Sequence, residues 1–349
     1  MSEAAARVRA FRTPLGRVLP FTVLGLGGAP LGNLGRALRE AEVESTLEAA
    51  WRSGARHFDT APLYGHGLSE TRVGRFLGER RRESFLLSTK VGRRLEPCAS
   101  GEEESGVYLA TPPFRAIFDY TRGGVLSSWE ASRMRIGLSR IDILYVHDLE
   151  TRAHDSASAC EARWRELIDG GGWQALSELR AAGEVDAIGL GVNDASACER
   201  FLAELDPDLF LLAGRYTLLE QAPLHTLFPA CARRGVGIVI GGPYNSGALA
   251  RASGTYDYGA IPGEAARRVG RLSEVCTRFG VPLAAAALQF ALAPSVVVGV
   301  IPGSQSPEEA LANADFLDRP IPVELWSALK SDDLIDPSSP LPVRETPAC

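Results

Sequence analysis

RHFDTAPLYGHGLSETRVGRFLGERRRESFLLSTK, residues Arg56–Lys90, holds one complete unit of the fold. Arg56–Asp59 and Phe85–Lys90 are short apolar runs of the kind that form strands covered on both faces. Between them, Ser69–Arg80 spaces Val73, Phe76 and Leu77 as a helix would. A strand, a helix and a second strand in so short a span predict a βαβ unit, because parallel strands need a crossover connection.

The same alternation extends in both directions. Further strands are predicted at Thr22–Leu26, Asp142–His147, Val185–Val192, Leu209–Ala213, Gly237–Ile240 and Val296–Ile301. Helical spacing recurs at Glu42–Arg52, Leu126–Leu138, Trp173–Ala182, Ala195–Leu205 and Glu264–Phe279. Several helices run into a glycine before the next strand: Gly54, Gly183, Gly235 and Gly280. Glycine there can take the left-handed conformation that closes a helix.

Eight strands with intervening helices predict the α/β class and a (β/α)8 TIM barrel, a single domain over residues 1–349. An open dinucleotide-binding sheet is the competing architecture. It lacks support, because Gly25-Leu26-Gly27-Gly28 is followed by a loop rather than a helix start. Val8–Phe21 reads as an N-terminal β-hairpin turning at Pro14-Leu15-Gly16, placed to plug the bottom of the barrel. Two long irregular stretches, Gly92–Gly124 and Leu149–Gly172, would leave the C-terminal ends of strands as active-site loops.

Of the 349 residues, 45% are apolar and 23% charged, with a net charge of −6 and no basic run longer than Arg80–Arg82. That balance argues against nucleic acid or an anionic membrane as a partner. Cys98, Cys160, Cys198, Cys231, Cys276 and Cys349 lie far apart, with no zinc-site spacing, so free thiols and no metal are expected. The first residues, MSEAAARVRAFRT, have no apolar core of a signal peptide. Val281–Ile301 carries no charge and is long enough to span a bilayer, but Pro282, Gln289 and Pro294 interrupt it. A buried Ala-rich helix ending near Ala293, followed by a strand, accounts for it, and a cytoplasmic protein is expected. Oligomeric state leaves no mark in the sequence.

Asp59, Tyr64, Lys90 and His147 stand at or just beyond predicted strand ends. Singly, each has an ordinary explanation as a cap, a loop aromatic, a solvated terminus or a core histidine. In a barrel they share one face. A free tyrosine has a pKa of about 10, high for acid–base work near neutrality. A neighbouring lysine favours the phenolate, an aspartate holds the lysine, and a histidine can orient a substrate oxygen. Such a tyrosine moves a proton at an oxygen while a cofactor moves hydride.

Ordered landmarks carry a resemblance: F-D-T-A-x-x-Y-G (Phe58–Gly65), S-T-K (Ser88–Lys90), I-D-I-L-Y-V-H-D (Ile141–Asp148), A-I-G-L-G-V-N (Ala187–Asn193) and I-P-G-S-x-S-P-E-E (Ile301–Glu309). From Leu24 to about Leu329 the chain resembles the aldo-keto reductase superfamily. The resemblance implies that Asp59, Tyr64, Lys90 and His147 form the catalytic tetrad. Gly27–Leu34, Pro113–Val125, Leu211–Gln221 and Asn245–Leu249 are similar to its sugar-oxidising branch, which acts on D-threo-aldoses and L-fucose, and to its pyridoxal 4-dehydrogenases. The implied activity is NAD-dependent oxidation of an aldose such as L-fucose or D-arabinose at C1 to the lactone. Pyridoxal oxidation, NADPH-dependent carbonyl reduction and a nucleotide-sensing binding subunit are the alternatives.

The resemblance also implies a cofactor site. Asn193 would meet the nicotinamide carboxamide, and Gly28 would line its ribose. Asn245, Ser246 and Gly247 would receive the pyrophosphate, with Ser304 and Asn313 near the adenosine, and Asp59 and Gly242 are further cofactor-binding candidates. NADP-using members place Lys and Arg after the eighth strand to hold the 2′-phosphate. Here those positions carry Gly303 and Glu309, with Gln305 between them. A carboxylate repels a phosphate, so NAD is expected over NADP. Glu309 also suits the first turn of a helix begun at Pro307. The aromatic that stacks on nicotinamide in many relatives corresponds to Gly241 or Gly242, leaving Tyr216 or Tyr244 as substitutes. For the substrate, a sugar or aldehyde, Arg115, Phe118, Tyr120 and Trp129 are the candidates, with Arg122 beside them.

Overall fold

A computed structural model describes residues 2–251 and 254–342. Cys349, one of the six expected free thiols, lies outside the described residues; the other five are free. The strands are β1 (Val8–Arg12), β2 (Val18–Thr22), β3 (Leu26–Gly27), β4 (His57–Asp59), β5 (Leu86–Val91) and β6 (Arg93–Pro97). The series continues with β7 (Phe114–Phe118), β8 (Ile143–His147), β9 (Ala187–Val192), β10 (Leu209–Ala213), β11 (Gly237–Gly241) and β12 (Val297–Ile301).

Eight of these form one parallel sheet in the order β12-β11-β10-β9-β8-β5-β4-β3. Parallel bridges Leu24↔Val300 and Gly27↔Gly303 join its two edges. The Gly25 amide donates to the Val300 carbonyl at 2.8 Å, and the Val300 amide donates to Val23 at 2.9 Å. The sheet therefore closes as a (β/α)8 barrel, as the alternation predicts.

Packing follows the two faces of each strand. Inward residues Leu86, Ile143, Tyr145, Leu209, Val239 and Val298 form a compact inner core, completed from below by Leu19 and Phe21 of β2. The N-terminal hairpin is thus a plug, paired Val8↔Thr22 through Arg12↔Val18. Outward residues pack on the helices in a larger second core. Gly183 and Gly235 end their helices with φ of 76° and 68°, where a side chain would be strained.

Three expectations change in detail. The first barrel strand, expected at Thr22–Leu26, shrinks to Leu26–Gly27, because Thr22 closes β2 and Val23 bonds back to Arg7. Gly92–Gly124 is irregular chiefly between residues 98 and 113: β6 and β7 flank that loop and pair antiparallel, Arg93↔Phe118 through Pro97↔Phe114. Leu149–Gly172 contains a helix, Ala157–Ile168, capped by the Ser156 hydroxyl. The uncharged stretch resolves into a buried helix, Leu283–Ala291, and β12, and among the described residues no helix is long and apolar enough to cross a membrane.

Candidate active site

Residues two apart on a strand face the same way, and that spacing builds the site. His57 and Asp59, Ser88 and Lys90, and Tyr145 and His147 are such pairs near the C-terminal ends of β4, β5 and β8. The ladder sets Asp59 opposite Ser88 and Lys90 opposite Tyr145. The Lys90 ammonium donates to Asp59 Oδ2 at 2.6 Å and to the Thr60 carbonyl at 2.8 Å. Ser88 Oγ donates to Asp59 Oδ1 at 2.7 Å and lies 3.1 Å from His57 Nε2. Lys90 and Asp59 are almost fully buried, at 1% and 2% exposure.

Tyr64 comes from the turn after β4. Its ring lies 4.6 Å from the Lys90 ammonium and 5.7 Å from the His147 ring, nearly perpendicular to it. The four predicted catalytic residues therefore converge. Burial holds His147 at a pKa of about 3, so the imidazole is neutral throughout the physiological range. Burial also pushes the Tyr64 phenol up, and the Asp59 carboxylate adds to the effect. The lowering expected from Lys90 is outweighed, and Tyr64 rests as a protonated phenol.

From Tyr64 a cleft of about 570 Å³ runs across the barrel mouth to Glu309. Gly28, Asp59, Asn193, Gly242, Asn245, Ser246, Gly247, Gly303, Gln305, Glu309 and Asn313 all line it. Ser304 does not; it is fully buried and accepts from Asn313 Nδ2 at 3.2 Å. Asn193 is fixed at three atoms. Its amide donates to Glu150 Oε2 at 2.7 Å, its carbonyl accepts from Arg215 Nε at 2.7 Å, and its Nδ2 donates to Ala213 at 3.2 Å. That leaves Oδ1 as the acceptor for a carboxamide N–H.

A nicotinamide dinucleotide fits these residues. The wall is glycine-rich, Asn245 Oδ1 is buried without a partner, and consecutive Asn245, Ser246 and Gly247 take φ of 46°, 57° and 99°. Of the two tyrosines left open, Tyr216 stacks on Phe290 in the core. Tyr244 stands in the cleft wall and donates to Asn313 Oδ1 at 2.6 Å. At the far end, Glu309 Oε2 accepts from the Gln305 amide at 2.8 Å while Oε1 pairs with Arg251 at 3.1 Å. Arg36 also lines that end, so the carboxylate is not the only charge there.

The substrate candidates fare differently. Arg115 is on β7 and pairs with Glu102 at 3.1 Å, and Phe118 packs against His154 and Arg93. Tyr120 is fully buried, its hydroxyl donating to the His147 carbonyl at 2.6 Å, which makes it a support for His147. Trp129 is buried on the helix Arg122–Ile136, and Arg122 pairs with Glu178. None of them lines the cleft. Val107, Asp257 and Tyr258 line it instead. Tyr108 lies behind, its ring 6.3 Å from Tyr64. The β6–β7 loop delivers Val107 and Tyr108 by docking on Asn33–Gly35, through the bridge Leu34↔Tyr108. That docking joins residues remote in sequence and left no local signal. Ser88, by contrast, was readable from its position two before Lys90.

Among the described residues, no group of three or more His, Cys, Asp or Glu side chains is placed to hold a metal ion. The model of the aldo/keto reductase family matches residues 23–333. Pyridoxal 4-dehydrogenase of Microbacterium luteolum is 41% identical, over 92% of this chain and 97% of that one. D-threo-aldose 1-dehydrogenase of a Pseudomonas species is also 41% identical, over 91% of this chain and 95% of that one. The solved holo form of an aldo-keto reductase from Bacillus halodurans superposes with a TM-score of 0.73 at 23% identity, covering 95% and 97% of the two chains. Sequence and barrel agree, and the chain belongs to the aldo/keto reductase family, as an oxidoreductase acting on CH–OH groups.

Proposed function

We propose that this chain, folded as one barrel domain in the cytoplasm, oxidises an aldose at C1 to the lactone with NAD as its cofactor. The observation that carries the reading is the buried Lys90–Asp59 pair beside Tyr64 and His147, at the end of a cleft suited to a dinucleotide. The 41% identity to D-threo-aldose 1-dehydrogenase supports the substrate class. A bound nicotinamide supplies the acceptor for the C1 hydride. Tyr64 takes the proton of the anomeric hydroxyl, and the C1–O bond becomes the lactone carbonyl. Lys90 stabilises the transient phenolate, Asp59 and Ser88 fix Lys90, and neutral His147 orients the substrate oxygen.

Glu309 supports NAD over NADP, because a carboxylate anchored by the Gln305 amide disfavours a 2′-phosphate and accepts a ribose hydroxyl. Pyridoxal is the second reading, favoured by the equal identity to pyridoxal 4-dehydrogenase. Initial rates with NAD+ and NADP+ against L-fucose, D-arabinose and pyridoxal test all of this. Faster turnover of a sugar with NAD+ is expected. Turnover of pyridoxal alone overturns the substrate, and faster turnover with NADP+ overturns the cofactor. Tight NAD binding with no turnover of any sugar, aldehyde or alcohol would point instead to a nucleotide-sensing subunit.

A further inference from the structure

The cleft's substrate end is walled by a segment tied to the cofactor residues. Thr255 bridges Gly247 and bonds to the Ser246 carbonyl through its amide at 3.2 Å and its hydroxyl at 2.9 Å. The Tyr258 amide donates to Ser246 Oγ at 3.3 Å. Asp257 and Tyr258 both hold left-handed backbone, with φ of 48° and 65°. Such conformations are costly for residues other than glycine and persist only where surrounding structure imposes them.

Here two arginines impose them. Asp257 is gripped by Arg215 at 2.8 Å and by Arg152 at 3.1 Å. The same Arg215 donates to the Asn193 carbonyl. One guanidinium thus joins the residue that faces a carboxamide to the turn that presents Tyr258. Tyr258 is 54% exposed and lines the cleft with Tyr64. The Tyr64, Tyr108 and Tyr258 phenols lie close enough that the charge of one bears on the others.

We infer that Tyr258, held in place by Arg215 through Asp257, selects a neutral, polyhydroxylated ring at the substrate end, a refinement that rests on the aldose reading above. A phenol both donates and accepts, and its ring offers a flat apolar face, which together suit the hydroxyls and C–H face of a pyranose. The nearby cations are engaged: Arg93 with Asp148, and Arg152 and Arg215 with Asp257. Among the described residues, no free cation at this end calls for a phosphate or carboxylate on the substrate.

The test compares wild type, Tyr258→Phe, Arg215→Ala and the double variant on an aldose and its monodeoxy analogues, with NAD+ affinity measured separately. Tyr258→Phe should lower kcat/KM on the parent aldose about 3- to 10-fold, mainly through KM, leaving NAD+ affinity unchanged. On one deoxy analogue, variant and wild type should become equal, because the bonded hydroxyl is gone from both sides. Arg215→Ala should raise the aldose KM, and adding Tyr258→Phe should then cost little more. An equal loss on every analogue, or no loss on any aldose, overturns the role of Tyr258. A wild type that oxidises no aldose with NAD+ overturns the aldose reading itself, a different result.

Discussion

The floor of the site and its rim are built on opposite principles. On the floor, Asp59, Ser88, Lys90 and His147 sit on adjacent barrel strands, buried, at positions set by ladder register. Each has little freedom to move, because the strand that carries it is paired on both sides. On the rim, Val107, Tyr108, Asp257 and Tyr258 come from excursions that dock by scattered contacts: the Leu34↔Tyr108 bridge and the Arg215–Asp257 pair. Under the proposed function, the floor handles the proton of whichever oxygen reaches Tyr64, and the rim selects that oxygen. Changes on the floor should therefore strike turnover or folding, and changes on the rim should strike KM and choice of substrate.

The largest effect expected is on the floor. Tyr64→Phe keeps the ring and loses the proton acceptor, so kcat should fall by about 10²- to 10⁴-fold with NAD+ affinity nearly intact. Single-turnover rates and a cofactor titration check this, and turnover near that of the wild type would break the division between floor and rim. Lys90→Met should also abolish turnover, and it should destabilise the fold, because Asp59 is left as a buried carboxylate with only Ser88 to serve it. About 3–5 kcal/mol is expected from a denaturant midpoint, and adding Asp59→Asn should restore much of the stability but none of the activity.

The same floor sets the pH dependence. With the Tyr64 phenol pushed above its ordinary value by burial and by Asp59, the base form is scarce at neutrality and grows about tenfold for each pH unit. Sugar oxidation should therefore rise steadily from pH 7 to pH 9, without a plateau in that range. His147, neutral down to about pH 3, should contribute no acid limb above pH 5. A pH–rate profile in buffers of constant ionic strength reads both. A flat profile would mean that proton transfer is not slow or that Tyr64 is not the acceptor.

The contrast also explains what the sequence reveals. The eight strands and the three residues beside Tyr64, Asp59, Lys90 and His147, were legible because both follow local rules: apolar runs mark buried strands, and alternation puts every second side chain on the inner face. Ser88 obeys the same rule. The rim was not legible. Tyr120 looks like a loop aromatic in the sequence, yet its hydroxyl props up the His147 carbonyl from inside the protein. Trp129 looks equally available and is buried on a helix. Tyr258 gains its place through Ser246 and through Arg215 and Arg152 on Asp257, none of which is near it in sequence. Even Glu309, which lines the cleft, proves to be paired with Arg251, which nothing near it in the sequence announces.

That pairing yields an intermediate prediction. Glu309→Ala removes a repulsive carboxylate and frees Arg251, so the ratio of kcat/KM for NADP+ to that for NAD+ should rise about tenfold or more. Because Arg251 is largely exposed, the gain should shrink as salt is added. An unchanged ratio would assign cofactor choice elsewhere along the cleft.

The smallest effect concerns Arg115, which by sequence alone looked as eligible for substrate binding as any residue of its loop. The structure gives it work outside the cleft. Its guanidinium bonds the Glu102 carbonyl at 2.8 Å and the Glu102 carboxylate at 3.1 Å, and the side chain is 40% exposed. Exposed pairs of this kind contribute at most about 1 kcal/mol, and often nothing measurable. Arg115→Ala should therefore leave kcat and KM for the aldose within about twofold of wild type, and the unfolding midpoint almost unmoved. The side chain also helps hold the loop that delivers Val107 and Tyr108, which gives this small number its value. A KM raised well beyond twofold with kcat unchanged would mean that the rim is positioned from as far away as β7, and that the substrate end is less firmly built than the Leu34↔Tyr108 docking implies.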